Sequence, residues 1–445
     1  MTMGGSDERK DIVIIGGGII GCATAYYLTR HPSYDPKKHR IVVVEATRVA
    51  GGASGKAGGL LAVWAYPSNI VPLSFRLHQD LALEHGGEDR WGYRRVSCGN
   101  LEAHGRKRSE LEGLGAAPGF SLGKRAGETR KGGKAWSGTG LPKDLDWILP
   151  ELVQGYEEMG GSRETAQVHP YYFTMSLMDL AKASGAELVI GSVTKINYAD
   201  VSSPASTPPP AIDRSGNKSP STSSLSSSTS SSRSRRKAES VTYTDKETSR
   251  SVTVPASHVV LAAGPWTARL FPAAPITGLR AHSVTITPAG PVSGYALFTE
   301  ISIPSPTEVG YRGPVSPEIY ARPNNEIYVC GEGDMEVEVP ETTADVEVDE
   351  SRCDDLIAQV SSISDHIRLG RVTRKQACYL PVLNIGGSGG PLIGETGVDG
   401  LYMASGHSCW GINNAPATGL LLSEMIFDGK AKSADIRQLD PRRIL

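Results

Sequence analysis

Between Asp11 and Glu45 the chain carries a strand, three spaced glycines, a helix, a second strand and a terminal acid, and few folds accept that order. Ile12-Val13-Ile14-Ile15 is an unbroken β-branched run, the pattern of a parallel strand buried on both faces. Gly16, Gly18 and Gly21 follow at G-x-G-x-x-G spacing, then a helical stretch from Cys22 to Leu28 and a second apolar strand, Ile41 to Val44. The first glycine permits a tight turn, the second lets backbone approach a pyrophosphate, and the third lets helix pack on strand. The helix N-terminus offers unpaired N–H groups and a positive dipole end to that pyrophosphate. Glu45 stands where a carboxylate accepts ribose hydroxyls. Glycines alone would suit a turn in many α/β proteins, but the whole unit in register reads as a dinucleotide site.

A second glycine-rich run, Gly51-Gly52-Ala53-Ser54-Gly55-Lys56-Ala57-Gly58-Gly59, follows directly. A nicotinamide enzyme has no need of it. A flavin enzyme does, because backbone must pass close to the ribityl chain and ring. On these residues the chain resembles the D-amino-acid oxidase-like family of FAD-dependent oxidoreductases, which includes glycine and sarcosine oxidases. Four later blocks carry the resemblance in order: Val168-His169-Pro170, with a helical segment to Gly185-Ala186 and a strand ending near Val193; Val259 to Trp266; Pro391-Leu392-Ile393-Gly394 before a last strand, Gly400 to Met403; and Gly406-His407 to Gly411 followed by Asn414 to Gly419. The likeness is nearest to a fungal branch, so no substrate transfers. The resemblance implies FAD contacts at Gly16, Gly18, Ile19, Ile20, Gly21, Glu45, Ala46, Ser54, Lys56, Gly58, Gly59, Leu60, Val193, Ala263, Gly264, Trp266, Gly406, His407, Gly411 and Ile412. It implies an α/β fold: a discontinuous Rossmann-type FAD-binding domain with a second, α+β substrate domain built on an antiparallel sheet.

The 445 residues allow about three domains or one large two-part fold. The chain divides into an FAD-binding domain at 1–90, 165–280 and 381–445 and a substrate domain at 91–164 and 281–380. Within the second piece, Ser283 to Thr287, Ile319 to Arg322 and Glu326 to Cys330 read as strands, Asn324-Asn325 as a hairpin turn, and Leu356 to Ile367 as a helix. Residues 202–240 are serine-rich, contain three consecutive prolines and a basic cluster, Arg233 to Lys237, and have few apolar groups to offset ordering. They read as a disordered insert, neutral or, through serines beside arginines, regulatory. A net charge of −2 argues against a nucleic-acid partner, and no run approaches a membrane span. The polar N-terminus, the six scattered cysteines without a C-x-x-C pair, and an end that is not S-K-L point to a cytoplasmic chain with reduced thiols and no metal site.

A flavin oxidase leaves the difficult chemistry to its cofactor; the protein orients substrate, excludes water and stabilises charge at the ring. Gly411-Ile412 can place N–H groups at the pyrimidine edge, backed by a helix beginning near Pro416 with Asn414 as its cap. The resemblance implies amine or amino-acid substrates, whose carboxylate a buried arginine would hold. Tyr320 and Arg322 share one face of a strand by period two. If Arg322 is instead a surface residue, the substrate need not carry a carboxylate; Arg94 and Arg95 are the next arginines to consider. His407 either bonds the ring or substrate, or packs structurally. Lys56 either draws superoxide toward the ring or is a solvated loop lysine or a phosphate contact. Cys378 either carries a covalent flavin, as in some sarcosine oxidase-like members, or is a buried apolar thiol; non-covalent FAD is favoured. With no second nucleotide unit and no dithiol motif, the remaining electron acceptors are oxygen, a quinone or an electron-transfer protein, and oxygen is the simplest for oxidation of a C–N bond on a small-molecule substrate. The alternative class is a flavoprotein with a regulatory or trafficking role and little turnover, and a third reading is flavin chemistry on a C–OH bond.

Overall fold

The computed structural model describes residues 9–106, 140–201, 235–304, 313–385 and 390–445. An eight-stranded sheet runs in the order Ser251–Pro255, Arg235–Asp245, Glu187–Val201, Arg40–Glu45, Asp11–Ile15, His258–Leu261, Leu401–Ser405, Leu392–Glu395. From Glu187–Val201 to Leu401–Ser405 neighbouring strands are parallel, and both flanks are antiparallel. The apolar run of the first strand serves two faces. Ile12 and Ile14 meet the helices Ile19–Leu28, Pro170–Ala183 and Gly411–Asp428, while Val13 and Ile15 meet the antiparallel layer that contributes Ile196, Val241 and Tyr243. That two-sided burial is why the strand shows no polar alternation.

A seven-stranded sheet forms the second layer, in the order Arg371–Leu383, Ile276–Thr287, Glu326–Asp334, Glu318–Arg322, Tyr295–Ser302, Ser97–His104, Val153–Gly160. It is antiparallel except where Tyr295–Ser302 lies parallel to Ser97–His104. Asn324 and Asn325 make the hairpin turn with φ of +64° and +54°, the left-handed pair that a two-residue turn requires. One face packs on the helix Glu350–Ser361; the other turns toward the nucleotide sheet through an aromatic layer including Tyr320, Tyr328, Phe298 and Trp410. A three-stranded sheet of Leu60–Ala62, Thr165–Gln167 and Arg94–Arg95 continues the second glycine run into this layer.

Three local expectations change. The expected helix Leu356 to Ile367 is two helices, Glu350–Ser361 and Asp365–Arg368, because Ser364 caps the second by accepting from Ile367 N. The closing helix starts at Gly411, so Pro416 lies inside it and Asn414 is not its cap. A proline there removes the bond to the Ile412 carbonyl. Buried His78 replaces it, its Nε2 lying 2.9 Å from that oxygen. Of the expected disordered insert, 202–234 lies outside the described residues. The remaining Arg235 to Ser240 is strand, paired with Asn197 to Val201, and Ala238 is buried. Among the described residues no helix is long and apolar enough to cross a membrane.

Candidate active site

A cleft of about 570 Å³ opens at the carboxyl ends of the parallel strands, where ligands bind in open α/β sheets. Its floor is the glycine turn. A Cβ at Gly21 would lie 1.9 Å from the Gly16 carbonyl oxygen, and one at Gly16, whose φ is +112°, would lie 2.5 Å from the Ala262 oxygen. Glycine is therefore required at both. Gly18, Ile19 and Ile20 line the cleft at the helix start; Ser54 Oγ accepts from Ile19 N at 2.9 Å and sets a hydroxyl there. Buried Glu45 is oriented by Gly17 N on Oε2 at 2.8 Å and Thr47 N on Oε1 at 2.9 Å. A carboxylate offers about four acceptor positions, so capacity for a ribose hydroxyl remains.

Ala46, Val193, Ala263, Gly264 and Trp266 line the same cleft, as do His407, Gly411 and Ile412. Gly21 lies beneath it, packing helix on strand. Gly406, with φ of +83°, turns the chain into His407. Lys56, Gly58, Gly59 and Leu60 are outside the lining. Leu60 starts a buried strand, and the Gly58 backbone carries the Tyr320 ring so closely that a Cβ would sit 2.8 Å from it.

His407 is 2% exposed, and neither ring nitrogen has a hydrogen-bond partner. Burial pushes its pKa down to about 3, so the ring is neutral and offers one donor and one acceptor. An orphaned polar ring on the wall of a cleft built from two helix N-termini fits a ligand with polar ring edges. FAD meets that description: the fingerprint helix and Ser54 would hold its pyrophosphate, Glu45 its ribose, and His407 with the start of Gly411–Asp428 its flavin ring.

The other candidates are placed differently. Arg322 is 3% exposed, and its fork is committed. Nη1 pairs with Glu326 at 2.9 Å, Nη2 donates to the Ala57 carbonyl, Nε reaches the Gly58 carbonyl at 3.4 Å, and the plane lies over Tyr328 at 4.5 Å. It ties the second glycine run to the seven-stranded sheet instead of presenting a free fork. Tyr320 donates its hydroxyl to Glu318, and burial with that neighbouring charge holds its pKa well above 10. Arg94 bonds Gln167 and the Ala321 carbonyl; Arg95 bonds Gln79 and lies over Phe75. Lys56 Nζ donates to the Ala377 carbonyl at 2.8 Å, and burial lowers its pKa. Cys378 is 5% exposed in the aromatic layer, and burial pushes its thiol up to about 11, with Lys56 opposing. A protonated, packed thiol is a poor nucleophile.

The sequence did not single out the cleft's cover. Glu341, Thr342 and Thr343, from the segment after the strand Glu326–Asp334 of the seven-stranded sheet, line it. The segment is held by Trp266 Nε1 on the Pro340 carbonyl at 2.6 Å, Tyr379 on Val337 and Glu338 carbonyls at 3.0 Å each, and a Thr47–Thr343 hydroxyl contact. Its one local signal is the Thr342–Asp345 capping box, which marks a turn and no ligand. Tyr379, Leu380 and Pro381, the strand end beside Cys378, also went unnoticed.

A profile for FAD dependent oxidoreductases, the DAO group, matches residues 11–213 and 226–425. A Saccharomyces cerevisiae protein named as an oxidoreductase, TDA3, is 40% identical over 98% of this chain and 95% of its own. A Schizosaccharomyces pombe protein, also named as an oxidoreductase, is 33% identical over 98% of each. Among solved structures, glycine oxidase from Geobacillus kaustophilus superposes with a TM-score of 0.61 at 18% identity, covering 98% of this chain and 100% of the other.

Proposed function

Since the chain belongs to the FAD-dependent oxidoreductase family of the D-amino-acid oxidase type, we propose that it oxidises a C–N bond of an amine or amino acid, with oxygen as the electron acceptor. The observation that carries this is His407, orphaned on the wall of a cleft that two helix N-termini and Glu45 complete. FAD, bound non-covalently, would supply the two-electron chemistry by taking a hydride. The chain's own residues do the rest. Neutral His407 and the first turn of Gly411–Asp428 stabilise negative charge at the ring edge. The aromatic layer excludes water from the reacting face, and Lys56, anchored on Ala377, adds positive charge beside the glycine run. Arg322 and Tyr320 hold that run in place. Support for a nitrogen-bearing substrate comes from the structural neighbour named as a glycine oxidase.

The test is anaerobic mixing of the purified chain with D-amino acids, N-methyl amino acids, simple amines and simple alcohols. Bleaching of the flavin by a nitrogen compound, and its recolouring in air, is the expected result. Bleaching by alcohols alone, or by nothing in the panel, contradicts the proposed reaction.

A further inference from the structure

The helix Gly411–Asp428 meets the cleft with its first turn: Gly411 and Ile412 line the wall, and so does His407 just before them. A Cβ built on Gly411 would lie 3.7 Å from His407 Cβ, and neither ring nitrogen of His407 has a partner among the described residues. The orphaned ring and the helix start therefore face the same ligand edge. The first N–H groups of a helix have no partner within it, and they favour negative charge. Further along, the helix is fixed by other means, since a Cβ at Gly419 would lie 2.6 Å from the Ala23 carbonyl in the fingerprint helix.

The turn at the cleft is weak by its own sequence. Pro416 has no N–H, so the Ile412 carbonyl lacks its donor four residues on. The helix Val71–His85 closes the gap. Its Ser74 and His78 stand four residues apart on one face, and both are fully buried. His78 Nε2 lies 2.9 Å from the Ile412 oxygen, and Ser74 Oγ accepts from Ala417 N, just past the proline, at 3.2 Å. A carbonyl only accepts, so Nε2 carries the proton. Nδ1 is then an acceptor, and it finds no donor among the described residues. A buried unpaired nitrogen is destabilising. An apolar side chain would avoid that loss but leave Ile412 without a donor. Asn413 Oδ1 accepts from Ala62 N at 2.9 Å and ties the same turn to the strand Leu60–Ala62.

Building on the flavin reading above, we propose that His78 is a positioning residue for the cofactor: it stands in for the N–H that Pro416 lacks, keeps the first turn of Gly411–Asp428 aimed at the ring edge, and thereby raises the two-electron potential of the flavin. Reduction brings two electrons and a proton to the ring, as a hydride from substrate in turnover, and leaves negative charge at the edge those N–H groups meet. His78 is not part of the cleft lining; it acts through Ile412.

The test measures the flavin midpoint potential of the FAD-loaded chain against a reference dye during slow reduction with dithionite, so no substrate has to be known. His78→Leu should make reduction about tenfold less favourable, a fall of about 30 mV for a two-electron couple. Pro416→Ala restores a backbone N–H for Ile412, so the double variant His78→Leu, Pro416→Ala should return to within about twofold of wild type. Leu421→Ala, buried further along the same helix, should lower the melting temperature and leave the potential where it was, which separates positioning from packing. A His78→Leu potential equal to the wild type's overturns the proposal, as does a Leu421→Ala shift of the same size. So does a double variant that stays as low as His78→Leu. Should His78→Leu alone not fold, a double variant that fails to fold, or that loads FAD with a lowered potential, overturns it equally. A potential lowered in His78→Leu and rescued in the double, with no amine bleaching the flavin, would leave the role of His78 standing and remove the proposed reaction. Bleaching by amines with an unmoved potential would do the reverse.

Discussion

Arg322→Leu should loosen the cofactor loop before it touches any substrate. The guanidinium is buried and serves three acceptors: Glu326 and the carbonyls of Ala57 and Gly58. Leucine fills part of the volume and satisfies none of them. Removing one partner of a buried pair costs about 3–5 kcal/mol. Each buried carbonyl left without a donor adds roughly 1–3 kcal/mol, though relaxation makes these overlap. Glu326 is 28% exposed on its side chain and recovers some solvation, so a net loss of about 3–5 kcal/mol is the reasonable figure. Unfolding entropy near 2.1 cal/mol/K per residue, over 445 residues, converts each kcal/mol to about 1 °C. The thermal midpoint should fall by about 3–5 °C if the chain unfolds as one unit. FAD should also dissociate more readily, because Ala57 and Gly58 lose their tether. Lysine should recover part of the loss, since a point charge can pair Glu326 but cannot reproduce the fork. The assay is a melting curve with and without added FAD. A midpoint within about 1 °C of wild type, with unchanged FAD affinity, would refute the tether.

Gly21→Val should yield little folded protein, because its Cβ would lie 1.9 Å from the Gly16 oxygen, whereas Gly18→Val, whose Cβ meets only Ser54 Oγ at 3.1 Å, should fold but purify colourless. Soluble yield and flavin absorbance separate the two, and a yellow Gly18→Val variant would count against the pyrophosphate position. Burial lowers the His407 pKa to about 3, so the unfolded chain takes up the proton first as pH falls. The stability tied to His407 is therefore present above pH 6.5 and lost on acidification toward pH 3. In the apo chain, His407→Gln should flatten the stability curve there by up to about 1.4 kcal/mol per pH unit. An unchanged slope in denaturant titrations would remove the buried neutral ring. Deleting 202–240 should lower the melting temperature more than deleting 202–234, because only the longer cut strips Arg235 to Ser240 from the sheet and removes buried Ala238. Equal melting temperatures would show that this ladder contributes nothing.

What the sequence made legible is what local pattern encodes. The fingerprint glycines, Glu45 and the β-branched strands each obey a short-range rule, and the cleft is built on them. Asn324-Asn325 announced its turn for the same reason. What stayed hidden depends on partners far along the chain. Pro416 reads as a helix start until His78 supplies the missing bond from 334 residues away. Arg322 reads as a substrate clamp until carbonyls 264 and 265 residues earlier occupy it. Arg235 to Ser240 is polar enough to look unstructured, and only pairing with Asn197 to Val201 makes it strand. The Glu341–Thr343 cover has no apolar period, and its capping box marks only a turn; its place over the cleft is set by Trp266, Tyr379 and Thr47.

The flavin content of the purified chain tests the central claim most directly. A cleft with an orphaned His407, a pinned Glu45 and two helix N-termini should hold one FAD per chain, released into the supernatant when the protein is precipitated with acid. Colour that stays with the pellet and is lost in Cys378→Ala would replace the non-covalent site with a covalent one. A folded chain that purifies without flavin and takes up none from added FAD would contradict the account.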